Sequence, residues 1–336
     1  MSETTPSFVH LRSHSEFSVV DGIARIPEMI KKAQAYGQPA LALTDLCNLF
    51  GQIKFYTSAR KAGLKAIMGC DIWLQNEEDR EKPSRLLLLV QNEAGYLSLC
   101  DILTRAWLGN QYKGRAEVQR AWLKECSGLI ALSGGRMGDV GQALADGNLE
   151  LARDCARHWD SLFPGAFYIE LQRSGADGDE LYVQAAMRLA AELDLPVVAT
   201  HPIQFIAPDD FRAHEVRVCI AEGEQLANPK RVKRFTQEQY FLSTDEMQQR
   251  FADVPVALEN TLEIAKRCNL ELELGKPYLP DFPTPEGMSL GDFLIQQAKE
   301  GLETRLKQLY ADPEEREKQR PTYEERLMWE CNTIIS

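Results

Sequence analysis

The N-terminal stretch FVHLRSHSEFS, residues 8–18, places two of the chain's five histidines four positions apart, at His10 and His14. Imidazoles this close together point to metal chemistry, because neutral histidine is a common ligand for divalent ions. Arg12 stands between them and argues the other way. A guanidinium has no lone pair to give and stays charged at any ordinary pH. On a strand, His10 and His14 lie ~13 Å apart, too far to hold one ion together. Further residues able to do chemistry follow short apolar runs: Asp21, Asp45, Asp71, Arg85, Gly134, Gly135, His201 and Gln204. Several are metal-ligand types. A lone aspartate after a strand serves equally as a helix N-cap.

The elements that must position these groups are legible as seven short apolar runs. They are residues 8–12, 39–45, 65–74, 85–91, 128–134, 167–173 and 196–205. Such runs predict buried parallel strands. Helical patterns lie between them. RIPEMIKKAQAYG carries Ile26, Met29, Ile30 and Ala33 at helical spacing with Gly37 as a stop, and DELYVQAAMRLAAELDL repeats the pattern at 179–195. Strands with helical crossovers predict an α/β fold of (β/α) barrel type, with its site at one end of the strands.

Segment 109–121 reads as a long loop. Pro277, Pro280, Pro283 and Pro285 mark 271–288 as a linker. An amphipathic helix is expected over 289–311, followed by a solvated charged stretch over 312–321. The helical pattern TYEERLMWECNTIIS continues to Ser336 without a cap, which suggests a fragment or an unusual natural end.

The net charge is −12 with a pI near 5.1, a poor balance for wrapping a phosphate backbone unaided. Eight cysteines stand singly, at 47, 70, 100, 126, 155, 219, 268 and 331, with no CxxC pair, so a zinc ribbon is not expected. No apolar run approaches the ~18 residues of a membrane span, and no signal peptide opens the chain. A cytoplasmic protein with reduced thiols is expected.

Other candidates carry bland readings. GGRMGDVG, residues 134–141, is neither GxGxxG nor a Walker A motif and reads as a tight strand-to-helix turn. The Asp177–Gly178–Asp179 triplet reads as a turn and cap. His158 and His214 lie on predicted helices as ordinary residues. The basic run PKRVKR, 229–234, reads as solvated surface or as a contact for DNA or a partner. No spacing supports a Ser-His-Asp or Cys-His arrangement.

Six stretches in order resemble a known family: HLRSHSEFSVVDG, ALALTDLCNLFG, GLKAIMGCDIWL, NEAGYLSLC, LIALSGGRMGDVG and PVVATHPIQF. They are similar to the PHP domain (polymerase and histidinol phosphatase) in the form found at the N-terminus of bacterial C-family replicative polymerases, the DNA polymerase III alpha subunits. The resemblance covers residues 1–270 as PHP domain, recognisable from about residue 8, and 271–336 as a linker and the beginning of the polymerase palm. It implies a distorted seven-stranded (β/α) barrel followed by a partial, mostly helical segment. Metal-binding members hold several ions.

Carried over position by position, much of that ligand set is gone. The first histidine of the ligand pair is Arg12 and the second survives as His14. Asp21 and Asp45 remain, and the histidine after Asp45 is Leu46. The glutamate after the third strand is Asp71, the histidine opening the fourth strand is Arg85, and the cysteine after the serine-glycine pair is Gly135. The closing aspartate and histidine are Pro202 and Gln204. Four ligand-like residues remain: His14, Asp21, Asp45 and Asp71.

The expected consequence is a metal-free polar cluster in which Arg12 and Arg85 pair with Asp21, Asp45 or Asp71. Alternatively, the two arginines bind a phosphate or sulfate ion. His10 drops out as a bystander. The resemblance implies a parent DNA-directed DNA polymerase that uses Mg²⁺ through later palm residues, so this chain alone needs no cofactor and is expected to be inactive. It implies a scaffold role in DNA replication, with the proofreading exonuclease subunit epsilon, the rest of the polymerase and DNA as partners and no membrane. The rival reading is a metal-dependent phosphoesterase or 3′–5′ exonuclease.

Overall fold

The structure is a computed structural model that describes residues 8–336. The chain divides into two compact units, one ending at Leu272 and one beginning at Glu273.

In the first unit the strands are β1 (Ala40–Leu43), β2 (Lys65–Leu74), β3 (Ser84–Val90), β4 (Gln111–Tyr112), β5 (Arg115–Val118), β6 (Leu129–Leu132), β7 (Phe167–Gln172) and β8 (Val197–Thr200). Its helices are α1 (Ile26–Ala35), α2 (Gln52–Lys61), α3 (Glu93–Gly109), α4 (Asp139–Ala145), α5 (Leu149–Leu162), α6 (Asp179–Leu193), α7 (Phe211–Glu222), α8 (Thr244–Arg250) and α9 (Pro255–Arg267). The second unit contains α10 (Leu290–Leu309) and α11 (Pro313–Ile335). Among the described residues, no helix is long and apolar enough to cross a membrane.

The sheet runs β1–β2–β3–β6–β7–β8, with the β4–β5 hairpin added to β2 beyond β1. The first apolar run, expected as a strand, forms no regular ladder. It is an extended segment that closes the ring by isolated contacts. The amide of Ala42 donates to the His10 carbonyl at 2.9 Å, and that of Thr44 to the Ser13 carbonyl at 2.9 Å. On the other side His14 donates to the Ile203 carbonyl at 2.9 Å, and Ser13 bridges Ile203 in parallel. Segment 10–15 with β1, β2, β3, β6, β7 and β8 therefore makes the distorted seven-run barrel that was expected.

Not every strand is parallel. β3 runs antiparallel to both β2 and β6. A hairpin joins β2 to β3 where a helical crossover was expected. This reversal brings the start of β3, and so Arg85, to the end of the barrel where the other runs finish.

One further expectation changes. The loop over 109–121 contains the β4–β5 hairpin and the start of a 3₁₀ turn at Arg120–Glu125. The charged stretch 312–321 is exposed or half-buried, and all of it after the N-cap Asp312 belongs to α11, which continues through Pro321. The amphipathic readings of α1 and α6 hold. Ile26, Met29, Ile30 and Ala33 of α1 are buried, and Gly37 follows in the left-handed region at φ +65°. α6 buries Tyr182, Val183, Ala186, Leu189 and Ala190.

Gly22 is needed where the first barrel loop turns back. A Cβ there would lie 2.1 Å from the Ser15 carbonyl oxygen, which is backbone and cannot step aside cheaply. Gly22→Ala should lower stability by about 1–3 kcal/mol, the usual range for overpacking. Urea denaturation reads this directly, and an unchanged midpoint would contradict the close approach.

Candidate functional site

Seven side chains meet inside the barrel mouth: Arg12 and His14 from the closing segment, Asp21 from the first loop, Asp71 from β2, Arg85 from β3, Glu170 from β7 and Thr200 from β8. All are buried. Asp71 is central. Arg85 grips it as a fork, with Nε 3.1 Å from Oδ1 and Nη2 2.7 Å from Oδ2. Arg12 donates to Asp71 Oδ2 through Nη1. His14 Nε2 lies 3.2 Å from the same oxygen.

Arg12 makes a second fork on Glu170, with Nε 2.7 Å from Oε1 and Nη2 3.0 Å from Oε2. Glu170 is further held by Thr200 Oγ1 and by Gln172 Nε2 at 2.9 Å. The Trp73 ring lies 4.3 Å from the Arg85 guanidinium carbon, a cation–π contact.

His14 is held from both sides. Its Nδ1 lies 2.9 Å from Asp21 Oδ1, and Ser18 Oγ donates to that oxygen at 2.7 Å. A histidine with a carboxylate at each ring nitrogen donates from both, so it is an imidazolium. Burial alone would pull its pKa down. Asp21 and Asp71 outweigh burial and raise it to about 9. The same logic runs through the acids. Burial would raise the Asp71 carboxyl, yet Arg12 and Arg85 hold it far below the usual carboxylate range. Burial is likewise outweighed at Asp21, where His14 lowers the pKa. Three cations therefore face three anions, and the cluster of Arg12, His14, Arg85, Asp21, Asp71 and Glu170 is neutral.

Asp45 stands apart from the arginines. Its carboxylate accepts from the Ser15 amide at 2.6 Å and from Ser15 Oγ at 2.9 Å. Burial pushes its pKa up to about 6. Of the three partners expected for the arginines, the structure pairs both Arg12 and Arg85 with Asp71. It gives Asp21 to His14 and Asp45 to a backbone turn. Glu170 was not anticipated.

The remaining positions fall into place. Gly135 adopts φ +59°, and a Cβ there would lie 2.6 Å from Gln172 Oε1, so the Gln172 amide fills the space a side chain would need. Leu46 bridges Asp71 by backbone. Pro202 offers its carbonyl to Gln239 at 3.4 Å. Gln204 lies with Nε2 3.4 Å from His14 Nδ1. Among the described residues, no group of three or more His, Cys, Asp or Glu side chains is arranged to hold a metal ion.

His10 is turned away. Its Nε2 donates to the Leu242 carbonyl at 2.8 Å, and burial lowers its pKa to about 4. His201 donates similarly to the Tyr240 carbonyl at 3.0 Å. His158 is half-buried on α5. His214, expected to be ordinary, supports the site loop: its Nε2 donates to the Asp21 carbonyl at 2.7 Å. Residues 134–138 form the tight turn into α4. Asp179 caps its own turn, accepting from the Ser174 amide at 2.6 Å and the Ala176 amide at 3.1 Å.

A seven-run barrel with its polar residues gathered at one mouth defines the class, and residues 10–174 match the model of the PHP domain. The chain carries a PHP domain. Along nearly its whole length it is also similar to DNA polymerase III subunit alpha. It is 50% identical to that of Neisseria meningitidis serogroup B over 336 residues, 99% of this chain and 29% of the relative. It is 46% identical to that of Vibrio cholerae over 98% of this chain and 28% of the relative. The Escherichia coli K12 subunit is 46% identical over 99% of this chain and 29% of the relative. The chain thus spans under a third of the length of these relatives. Among solved structures, an amidohydrolase from Chromobacterium violaceum is similar with a TM-score of 0.42 at 15% identity, covering 62% of this chain and 96% of that one.

The raised pKa of His14 makes stability depend on pH. The folded protein holds this proton more tightly than the unfolded chain, where the value is 6.5. The contribution is complete below about pH 6.5 and is lost as pH rises through about 9. Stability should fall by roughly 3 kcal/mol over that window on account of this group. Buried thiols such as Cys47, pushed up by burial to about 12, add a loss of the same sign at the alkaline end. Comparison with His14→Gln isolates the histidine. Urea titrations at pH 6, 7.5 and 9 should show a shallower decline in the variant, and equal slopes would rule out a buried imidazolium.

Proposed function

We propose that the chain is the PHP-bearing part of a replicative DNA polymerase III alpha subunit, and that its barrel is a metal-free scaffold. The scaffold supports the polymerase and docks the proofreading exonuclease subunit. The observation that carries the scaffold reading is the clamp of Arg12 and Arg85 on Asp71. A divalent ion would have to displace both guanidinium groups and sit beside three cationic side chains. The charge is already balanced without it, and unpaired buried charge is costly.

The same geometry speaks against a phosphate or sulfate ion on the two arginines. Nε, Nη1 and Nη2 of Arg12 and Nε and Nη2 of Arg85 are committed to carboxylates. The polymerase half of the reading rests on similarity along 98–99% of the chain. On this reading nucleotide addition with Mg²⁺ belongs to palm residues of the parent chain, the palm begins after about residue 271, and the protein works in the cytoplasm where the chromosome is copied.

Isothermal titration with Zn²⁺ and Mn²⁺ should return no stoichiometric tight binding, and a pull-down with the proofreading subunit should retain it. Tight metal binding, with EDTA-sensitive cleavage of a phosphoester or single-stranded DNA that survives repurification, would establish the phosphoesterase alternative. A clean absence of the exonuclease subunit would sink the docking half. Removing one cation tests the clamp itself. Arg12→Met should cost about 3–5 kcal/mol, because it leaves Glu170 buried and without its cation. Arg12→Met with Glu170→Gln should recover part of that loss. Chemical denaturation of the four proteins closes the cycle, and a fully stable Arg12→Met protein would remove the clamp from the account.

A further inference from the structure

The basic run at 229–234 has no part in the scaffold reading. It belongs to a segment that, with α7, borders an open pocket of about 590 Å³. Ligand pockets commonly span about 300–1,000 Å³. Its lining includes Phe211, Arg212, Glu215, Pro229, Arg231 and Lys233. Residues 226–237 contain four basic residues and no acidic one, in a chain of net charge −12.

Pairing leaves this surplus unspent. Arg231 neutralises Glu215, and Arg234 pairs with Glu222 at 3.0 Å. Among the described residues Arg212, Lys230 and Lys233 have no ion pair. Three lining cations (Arg212, Arg231, Lys233) against one lining acid (Glu215) leave a surplus of two, with Lys230 next to Pro229 adding to it. Cations in excess of their paired counter-charges favour an anionic ligand. Phe211 adds a flat apolar face of the kind on which bases stack.

The segment is tied to α7 and to the barrel at its C-terminal end. His214 of α7 donates to the Asp21 carbonyl and packs edge-on against Phe235 at 4.8 Å. The far end of the segment is tied down where Gln204 donates to the Gln239 carbonyl at 2.9 Å and Phe205 bridges Tyr240.

We propose that this pocket and the rim beside it bind the phosphodiester backbone of a single nucleic-acid strand, with Arg212 and Lys233 of the lining and Lys230 on the rim each meeting a phosphate and Phe211 offering a stacking face. The preference for a nucleic-acid strand over an acidic peptide rests on the polymerase reading above. The preference for an anion rests on the cavity alone.

The test is fluorescence anisotropy of the 336-residue protein with a labelled 12-nucleotide oligothymidylate across a salt series. Three phosphate contacts give a log–log salt slope of about −2, so affinity should fall about 20-fold between 50 and 200 mM salt. Arg212→Ala/Lys230→Ala/Lys233→Ala should lose that salt-dependent binding while melting like the parent. Lys31→Ala/Lys61→Ala/Lys124→Ala, three exposed lysines elsewhere, should keep it. No binding at 50 mM salt, or equal binding by parent and cavity variant, overturns the proposal. So does displacement of the label by oligoglutamate of equal charge as readily as by unlabelled strand, since that would assign the cavity to an acidic peptide. A protein that fails here yet retains the exonuclease subunit defeats this proposal and leaves the polymerase reading standing.

Discussion

One carboxylate holds the barrel mouth together. Asp71 accepts from Arg12, His14 and Arg85, which come from the closing segment and from β3, and it sits on β2. Each donor is tied elsewhere: Arg12 to Glu170 on β7, His14 to Asp21 in the first loop, Arg85 to the face of Trp73. The network therefore spans most of the ring. A buried ion network is not automatically a stabiliser, because desolvation offsets much of the Coulomb gain. Its force lies in interdependence. Three cations and three anions cancel, so removing any one leaves a charge that burial cannot tolerate.

The reversal of β3 makes this possible. In an all-parallel ring the start of a strand faces away from the site, and Arg85 opens its strand. Running antiparallel, β3 pairs Asp71 with Leu87 and Trp73 with Arg85, so Arg85 lies diagonally across from Asp71 on the same face. The aromatic face of Trp73 also carries the order outward. Arg115 on β5 lies 5.8 Å from the Trp73 ring and pairs with the buried Glu117 at 3.0 Å, and Arg80 joins Glu117 at 2.8 Å. The small β4–β5 hairpin is thereby fastened to the strand that carries Asp71.

How much of this was legible follows from the kind of signal each feature leaves. The burial of α1 and α6 was readable because helical periodicity records it directly. Arg12 and Arg85 stood out because a guanidinium cannot coordinate a cation and stays charged. The direction of β3 was missed, since an apolar run looks the same either way. One clue was available: residues 75–83 are too short for a crossover of about a dozen residues, so only a hairpin could follow β2. Glu170 was missed because it lies inside the apolar run FYIELQR, where a single acid looks incidental. A charged residue in the middle of a buried strand demands a partner, and asking which one would have led to Arg12. The hairpin at 111–118 is short and polar, and such strands leave almost no periodic trace.

The two histidines of the opening segment show what decides charge in an interior. His10 and His14 are both fully buried and four residues apart. Burial acts on both in the same direction, against the charged form. His10 meets a backbone carbonyl and aromatic rings, so nothing opposes burial strongly and it stays neutral. His14 meets two carboxylates and is held charged. Depth therefore does not separate them; counter-charge does. The same rule explains why an arginine can sit buried at the barrel mouth at all. Once Asp71 and Glu170 flank it, a fixed positive charge supplies what a metal ion would have supplied to those carboxylates, and the mouth keeps its shape with side chains alone.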